Sequence, residues 1–401
     1  MSTSAIESRP SATRGVPLSQ DLLERCRQRA AGYDRENCFF QEDFEELKDA
    51  GYFLMTVPEE LGGYGMRLHD VAQQTRRLAQ HAAPTALACN MHHYWVGLAA
   101  DLWRAGDRSC EWLLRDAAAG EIFAAGHAEP GNDLPLLLST TKAEKVPGGY
   151  RFNGRKSFGS LSPVWTRLGL HGMDASNPQA PQIVHAFLPR DTAGVTIKQT
   201  WDVLGMRATC SEDTLLENVF VPDKYIARVL PAGAAGIDHF VLGIFAWALL
   251  NFGNVYYGLA QRIRDITVES VKSRTSLGVT RTMAYHPTTQ YKVAEMQLAM
   301  SAVEPQLDAA TTAWSAVDQH GPEMAPMIVA AKYNAVETAW KVADIALDLS
   351  GGFGMFKKSE LERLFRDCRP GRFHPANSAL THELIAKMTL GIDLDEQPRW
   401  G

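Results

Sequence analysis

The pattern of the sequence changes twice along the chain, and this alternation limits the possible folds more than any single motif. Residues 123–222 carry short runs of β-branched and aromatic residues separated by glycine and proline, which is typical of short strands joined by turns. Before and after this segment, apolar residues recur at helical spacing. We therefore predict an α+β fold in which a small antiparallel sheet domain lies between two helical domains.

The predicted boundaries follow these changes in pattern. We expect a flexible tail over 1–17, an N-terminal helical domain over 18–122, a middle sheet domain over 123–234 and a C-terminal four-helix-bundle domain over 235–401. Within the sheet domain, the pair Asn153 and Gly154 predicts a hairpin turn, because both residue types tolerate the positive φ that such turns require.

Composition narrows the classes of function. The formal net charge of −6 does not favour nucleic acid as a partner. The six cysteines are scattered without metal-type pairs, which favours free thiols in a reducing cytoplasm. The adjacent residues His92 and His93 cannot face one side of a helix, so no metal site is expected there. The apolar run 240–250 is too short to cross a membrane, and we expect a cytoplasmic protein.

Three short motifs follow one another near the C-terminus. Gly-Gly-Phe-Gly at 351–354 ends a predicted helix, because glycine adopts the positive φ of a helix C-terminus. It also lets backbone amides approach an anionic ligand such as a pyrophosphate. Arg-Leu-Phe-Arg-Asp at 363–367 and His-Pro-Ala-Asn at 374–377 follow. A polar turn between two helices is either a plain connection or a common place for a catalytic side chain.

The order of these three motifs resembles the C-terminal end of the acyl-CoA dehydrogenase superfamily of flavoproteins. In that family the turn carries a Tyr-Glu-Gly-Thr-like sequence, and its glutamate removes the α-proton of an acyl thioester. In this chain His374 lies at the tyrosine position, Pro375 at the glutamate, Ala376 at the glycine and Asn377 at the threonine. Some relatives place the base on an earlier helix, at a position that corresponds to about Ala248 here. The resemblance therefore implies the family's fold without its usual catalytic base.

Two motifs of the sheet domain extend the resemblance. Residues 126–133 are similar to the family's Thr-Glu-Pro-Gly loop, which implies that the backbone of His127 and Ala128 contacts the flavin. Alanine at 128 replaces the family's threonine, and the serine that contacts the substrate in the family is missing. Leu-Gly-Met-Arg-Ala-Thr at 204–209 is similar to the motif that marks the end of the family's sheet domain.

A third motif, at 152–160, is similar to the family segment that packs against the flavin ring. The resemblance implies that Phe158 contacts the flavin and that Ser160 places a hydroxyl near its N5 atom. A hydrogen-bond donor is chemically sensible there, because N5 is the atom that accepts hydride. The alternative for Ser160 is a turn hydroxyl that bonds its own backbone.

The resemblance also implies a site for the dinucleotide that is shared between subunits. Arg274 matches the arginine that contacts the flavin pyrophosphate, where a bidentate guanidinium suits a diphosphate. Gly351 and Gly352 match the cross-subunit glycine loop, and Asn377 is counted among the cofactor contacts. Asp348 replaces a glutamine of the family, and its charge predicts either that it turns away from phosphate or that the dinucleotide half of the cofactor lies differently. A homodimer or homotetramer with closed symmetry is expected.

The missing glutamate decides the predicted chemistry. The superfamily includes monooxygenases that receive reduced flavin from a separate reductase and need no strong base for a C–H bond. We therefore expect such a monooxygenase of a small organic substrate, using FAD, with FMN as the alternative cofactor. An atypical acyl-CoA or acyl-carrier-protein dehydrogenase and a non-catalytic flavin-binding relative are the alternatives. The candidate catalytic residues are His374, His92, Ser160 and Tyr94, and the remaining candidate bases are Asp238, His239 and Glu383.

Overall fold

The computed structural model describes residues 17–396, so the predicted tail lies almost wholly outside the described part of the chain. The N-terminal region is helical, as predicted. Its helices are α1 (Gln20–Glu36), α2 (Gln41–Asp49), α3 (Leu68–Arg104) and α4 (Glu111–Ala118). The backbone of α3 is kinked at Ala82, two residues before Pro84, because proline lacks the amide hydrogen that the helix needs at that point.

The middle region is one eight-stranded sheet. Its strands are β1 (Phe123–Gly126), β2 (Lys142–Val146), β3 (Gly149–Gly159), β4 (Arg167–Asp174), β5 (Gln182–Pro189), β6 (Val195–Lys198), β7 (Glu212–Pro222) and β8 (Ile226–Pro231). The order is β6-β7-β3-β2-β4-β5-β8, with β1 also beside β4. The sheet is mixed and not purely antiparallel, because β1 pairs with β4 in parallel. The long connection that contains β2 and β3 makes this crossover possible.

The prediction of a hairpin turn at Asn153 and Gly154 is wrong. Both residues lie inside β3, and the chain turns earlier, at Gly148, whose φ is +81°. A register shift separates Phe152 from Gly154 in the pairing of β3 with β7. A side chain at 154 would lie 2.4 Å from Oγ1 of Thr141. The glycine therefore serves close packing against a neighbouring segment, which local sequence does not distinguish from a turn.

The C-terminal region is again helical. It contains α5 (His239–Ser273), α6 (Pro287–Ser315), α7 (Ala325–Ser350), α8 (Glu360–Cys368) and α9 (Ser378–Leu390). Helix α5 lies at the centre and packs along α3, α6 and α7. It is long and apolar enough to span a membrane, but 89% of its most apolar stretch is buried inside the protein. Gly97 of α3 allows a close approach to α5, since a Cβ there would lie 2.5 Å from the Trp247 ring.

Candidate active site

The turn between α8 and α9 has an unusual backbone. His374 is extended, with φ −62° and ψ 153°, as expected for a residue that precedes proline. Ala376 has a φ of +54°, a left-handed conformation that costs a non-glycine residue roughly 1–2 kcal/mol. Asn377 then caps α9, its Oδ1 accepting from the Leu380 amide at 3.0 Å. The turn is thus tightly defined, and Asn377 has a structural role in it.

The His374 ring is held against α5. It stacks on Phe252 with ring centroids 4.6 Å apart and planes 23° from parallel. Its Nε2 lies 2.9 Å from the phenol oxygen of Tyr256. Burial raises the pKa of Tyr256 well above its usual range. Burial, and second the charge of Lys332, lowers the pKa of His374 to about 3. The ring is therefore neutral and faces a protonated phenol at physiological pH.

The position of the imidazole proton follows from counting donors. Among the described residues, His374 is the partner of the Tyr256 hydroxyl, so that hydroxyl is satisfied when it donates to Nε2. The proton of the neutral ring then resides on Nδ1. His374 as a whole is partly exposed. His374 therefore presents an N–H donor at the turn.

One face of α5 forms an apolar wall beside this turn. Between Phe240 and Ala260, the partly exposed residues are Phe245 and Ala248, which are three apart and share one helix face. Phe252, on which His374 stacks, lies seven residues beyond Phe245 on the same side. The alternative position for a catalytic base is thus occupied by alanine. The side-chain amide of Asn90 donates to the Ala248 carbonyl at 3.4 Å.

The other candidate bases serve structural purposes. The Asp238 carboxylate caps α5 by accepting from the Val241 amide at 2.9 Å. His239 stacks parallel to Trp314 at 6.3 Å, and Glu383 lies 3.0 Å from the Lys387 ammonium. The contacts of Asp238 and His239 are thus at the start of α5 and not at the turn.

Phe158 and Ser160 lie side by side on the sheet domain. Phe158 has a φ of +56° and is 59% exposed, and its ring meets Trp201 edge-on at 5.8 Å. An exposed aromatic ring in a strained backbone is available to cover a flat ligand. The Ser160 hydroxyl is 2.7 Å from that of Ser211, which is 2.7 Å from that of Thr209.

The direction of this hydroxyl chain limits what Ser160 can donate. The Thr209 hydroxyl donates to the Met206 carbonyl at 2.9 Å, so it accepts from Ser211, and Ser211 in turn accepts from Ser160. In this arrangement Ser160 offers lone pairs to a ligand. It becomes a donor to a ligand only when its hydroxyl rotates away from Ser211.

The loop that contains His127 and Ala128 is anchored by a buried ion pair. Nζ of Lys156 lies 2.5 Å from Oε1 of Glu129, and both side chains are almost fully buried. The same carboxylate accepts from the Ser139 hydroxyl at 2.6 Å. The Lys156 charge and these hydrogen bonds hold the pKa of Glu129 at about 2, although burial opposes them. Sequence reasoning missed this pair, although both residues lie inside the motifs that carry the resemblance.

Tyr94 contacts this loop, whereas His92 does not. The Tyr94 hydroxyl lies 3.1 Å from Nδ1 of His127. His92 is fully buried, accepts from the Phe123 amide at Nδ1 over 3.2 Å and donates from Nε2 to the Phe53 carbonyl over 2.8 Å. Both ring nitrogens of His92 are therefore engaged with the backbone, and neither is free for a substrate. We withdraw His92 from the candidate catalytic residues for this reason.

Arg274 and the glycine loop lie together at the end of α7. Nη1 of Arg274 donates to the Ser350 carbonyl at 2.6 Å, and Gly351, with a φ of +61°, ends the helix. At Gly352 a Cβ would meet no atom within 4 Å, so the backbone is open to a ligand. Asp348 pairs with Lys292 at 2.7 Å. Its charge is thereby partly neutralised, which lessens the repulsion expected toward phosphate.

The motifs at 204–209 and 363–367 contact each other directly. The Met206 amide donates to the buried Asp367 carboxylate at 2.6 Å. A side chain at Gly205 would lie 2.2 Å from the Arg366 carbonyl, so glycine is required for this contact. An adjacent cleft of about 760 Å³ contains none of the predicted site residues. The two motifs therefore join the sheet domain to the helical region that carries the turn.

The residues present fit a flavin in chemical type. Phe158 offers an exposed ring, Ser160 a polar group beside it, and Arg274 with Gly351 and Gly352 a cationic and backbone surface suited to phosphate. The structure does not bring all predicted contacts into one cluster. The turn and its α5 wall form one group, the sheet residues a second, and the Arg274 group a third.

Comparison with known proteins gives matches along most of the chain. The family model described as acyl-CoA dehydrogenase, C-terminal domain, matches residues 250–379, and that of the N-terminal domain matches residues 20–113. L-evernosamine nitrososynthase from a Micromonospora strain is 30% identical, covering 96% of this chain and 92% of that protein. A putative acyl-CoA dehydrogenase from Bacillus subtilis is 27% identical, covering 91% and 94%.

A solved structure extends these matches to three dimensions. It is the X-ray structure of KijD3 in complex with FMN and dTDP-3-amino-2,3,6-trideoxy-4-keto-3-methyl-D-glucose. The TM-score is 0.83 at 27% identity, over 97% of this chain and 96% of that chain. The matched domains, the relative at 30% identity and the shared architecture agree with the motifs described above. This chain therefore belongs to the acyl-CoA dehydrogenase superfamily.

Proposed function

We propose that this protein is a reduced-flavin-dependent monooxygenase that oxidises the nitrogen of a small organic amine. The observation that carries the proposal is the chemistry of the turn. The family's catalytic carboxylate is replaced by Pro375, and His374 presents a neutral N–H donor in its place. A donor cannot remove an α-proton from an acyl thioester, whereas it can assist the transfer of oxygen.

The choice of an amine comes from the relatives. A nitrososynthase is 30% identical over nearly the full chain, and a structure at 27% identity was determined with FMN and an amino-sugar nucleotide. Both names concern a substrate that carries an amino group. An amine nitrogen must be neutral to attack an oxygen donor, and the neutral His374 and the apolar face of α5 add no positive charge beside it.

Each part of the site then has a defined task. Reduced flavin, when bound, would supply two electrons, so that one atom of O2 enters the substrate and the other leaves as water. His374 donates from Nδ1 toward the reacting oxygen, while Tyr256 fixes its tautomer. Phe245 and Phe252 keep water away from the reacting atoms. Phe158 would cover the flavin ring, and the Ser160 hydroxyl would rotate to bond it. Arg274 and the glycine loop would hold the phosphate.

Spectroscopy under two conditions tests the function. We expect that saturated acyl-CoAs, added without oxygen to the protein loaded with oxidised FAD or FMN, do not bleach the flavin, because the turn lacks a base. With reduced flavin, oxygen and a panel of amines that includes amino-sugar nucleotides, we expect oxygen uptake and N-oxidised product by mass spectrometry. Bleaching by any acyl-CoA would support the dehydrogenase alternative. Flavin binding without either reaction would support the non-catalytic alternative.

The proposal includes a shared site and a partner enzyme. Large apolar side chains are exposed at and near the glycine loop, for example Phe353, Met355 and Phe356. We expect a second copy of the chain to cover them in a homodimer or homotetramer. A sedimentation mass of one 44.2 kDa chain would contradict this. A separate flavin reductase would supply reduced flavin in the cytoplasm, where the six free cysteines would stay reduced.

A further inference from the structure

We propose that Lys332 is a positioning residue, which holds the His374 imidazole in place through the backbone of the turn. The inference rests on the proposed function, in which His374 is the donor, and deepens it by naming the residue that keeps this donor in position. Lys332 lies on α7 and is 2% exposed. Sequence reasoning gave it no role, because a lysine within an apolar helix pattern usually reaches solvent.

The contacts of Lys332 are unusual for a buried cation. Nζ lies 3.0 Å from the Ala376 carbonyl and 3.4 Å from the His374 carbonyl. These two carbonyls flank Pro375. Buried cations are normally paired with a carboxylate. Lys332, however, forms no ion pair within 4 Å with a carboxylate of the described residues. Its ammonium instead donates to the two carbonyls of the turn.

The groups around Lys332 belong to four elements. Burial lowers the pKa of Lys332, the charge of Glu337 on α7 opposes this, and Glu337 is bonded to Arg372 of the segment before the turn. His374 and its hydrogen-bond partner Tyr256, on α5, are neutral. Thr381, on α9, donates to the same Ala376 carbonyl at 3.0 Å. Burial lowers the pKa of Lys332 to about 7, so its charge changes near neutral pH.

The turn needs such support for a physical reason. Ala376 is held at a φ of +54°, which a non-glycine residue leaves readily when it is not constrained. Release of the Ala376 carbonyl would let the turn relax and move His374 relative to Phe252 and Tyr256. Charge-assisted hydrogen bonds are about twice as strong as neutral ones. The protonated amine therefore fixes the turn more firmly than the neutral amine does.

Variants of Lys332 test the proposal in the full-length protein. Lys332→Met keeps the length and removes the donors, and Lys332→Arg keeps a cation that does not deprotonate. Thr381→Val is the matched control, because it removes an uncharged donor to the same carbonyl. The measurements are hydrogen exchange of residues 369–380 in the flavin-free protein and the ratio of N-oxidised product to peroxide with reduced flavin. Circular dichroism checks that each variant is folded.

We expect Lys332→Met to speed exchange in 369–380 about tenfold and to lower the product ratio about tenfold, whereas Thr381→Val changes each less than twofold. In the wild type the product ratio should fall as pH rises through about 7. The Lys332→Arg variant should not show this fall in product ratio. Dividing the wild-type product ratio at each pH by that of Lys332→Arg removes the effect of protonation of the amine substrate, which both proteins share. The proposal would be overturned if residues 369–380 of Lys332→Met exchanged hydrogen at the wild-type rate. It would also be overturned if the product ratio of Lys332→Arg fell with pH as that of the wild type does. The exchange measurement stands even if no amine is oxidised, which separates this inference from the proposed function.

Discussion

Replacement of His374 by alanine is expected to lower the rate of N-oxidation by roughly 10²–10⁴-fold, the usual contribution of a positioned proton donor. The imidazole lies against Phe252 and Tyr256, and with Nε2 accepting from Tyr256 it carries its proton on Nδ1. Without it, reduced flavin should still react with oxygen, but more of the oxygen should appear as peroxide. The measurement is the yield of N-oxidised product and of peroxide per reduced flavin consumed.

Two further variants separate chemistry from packing. Tyr256→Phe keeps the ring and removes the hydroxyl that sets the tautomer of His374, so we expect a smaller loss, about tenfold. His382→Ala is the matched control, because this histidine is exposed on α9, where it bonds Ser378 and meets the Tyr333 ring edge-on at 5.1 Å. A His374→Ala protein with wild-type product yield would show that the imidazole is a packed residue without a role in the reaction.

The arrangement of the three regions was predictable from sequence because it depends on local periodicity. Short β-branched runs predicted the sheet and apolar residues at helical spacing predicted the helices, and both are confirmed. The parallel pairing of β1 with β4 was not predictable, since it depends on which strand the chain returns to after 40 residues of other structure. The turn prediction at Asn153 and Gly154 failed for a related reason. Glycine is required at 154 because a side chain there would clash with Thr141, which is close in space but not in sequence.

The candidate site was predictable where a motif carries it and not where distant residues complete it. The motif at 374–377 located the turn and showed that the family's glutamate is absent. The partner that sets the His374 tautomer is 118 residues away on α5, and Lys332 is 44 residues from the carbonyl it bonds. His92 was predicted from a cluster of aromatic and imidazole side chains. Its saturated ring nitrogens become visible only with the contacts to Phe53 and Phe123.

A second large effect is expected from acid, because several histidines are buried in the neutral form. Burial lowers the pKa of His92 to about 4 and that of His185 to about 3. The pKa values of three others, His93, His127 and His171, are lowered well below the usual range, first by burial. His127, His171 and His185 form a row, with ring centroids 5.3 and 6.0 Å apart. Protonation of one would therefore disfavour protonation of the next.

The sign of the effect follows from the difference between the folded and unfolded states. In the unfolded chain these histidines take up protons below about pH 6.5, whereas the folded protein resists protonation until much lower pH. Stability is therefore fully present above pH 6.5 and is lost as the pH falls toward the folded pKa values. Each histidine removes up to about 1.4 kcal/mol per pH unit in that window. With His374, whose pKa burial also lowers to about 3, six together approach the whole stability of a typical protein, about 5–15 kcal/mol.

We therefore expect the free energy of unfolding, measured by urea denaturation at pH 7.5, 6.5 and 5.5, to fall steeply below pH 6.5, with loss of the fold near pH 5. His93→Leu provides the internal test. Neither ring nitrogen of His93 has a hydrogen-bond partner among the described residues, so an apolar replacement removes a titrating group without breaking a bond. This variant should show a weaker pH dependence than the wild type. A stability that stays constant from pH 7.5 to 5.5 would mean that the buried imidazoles are compensated by groups that gain stability in acid.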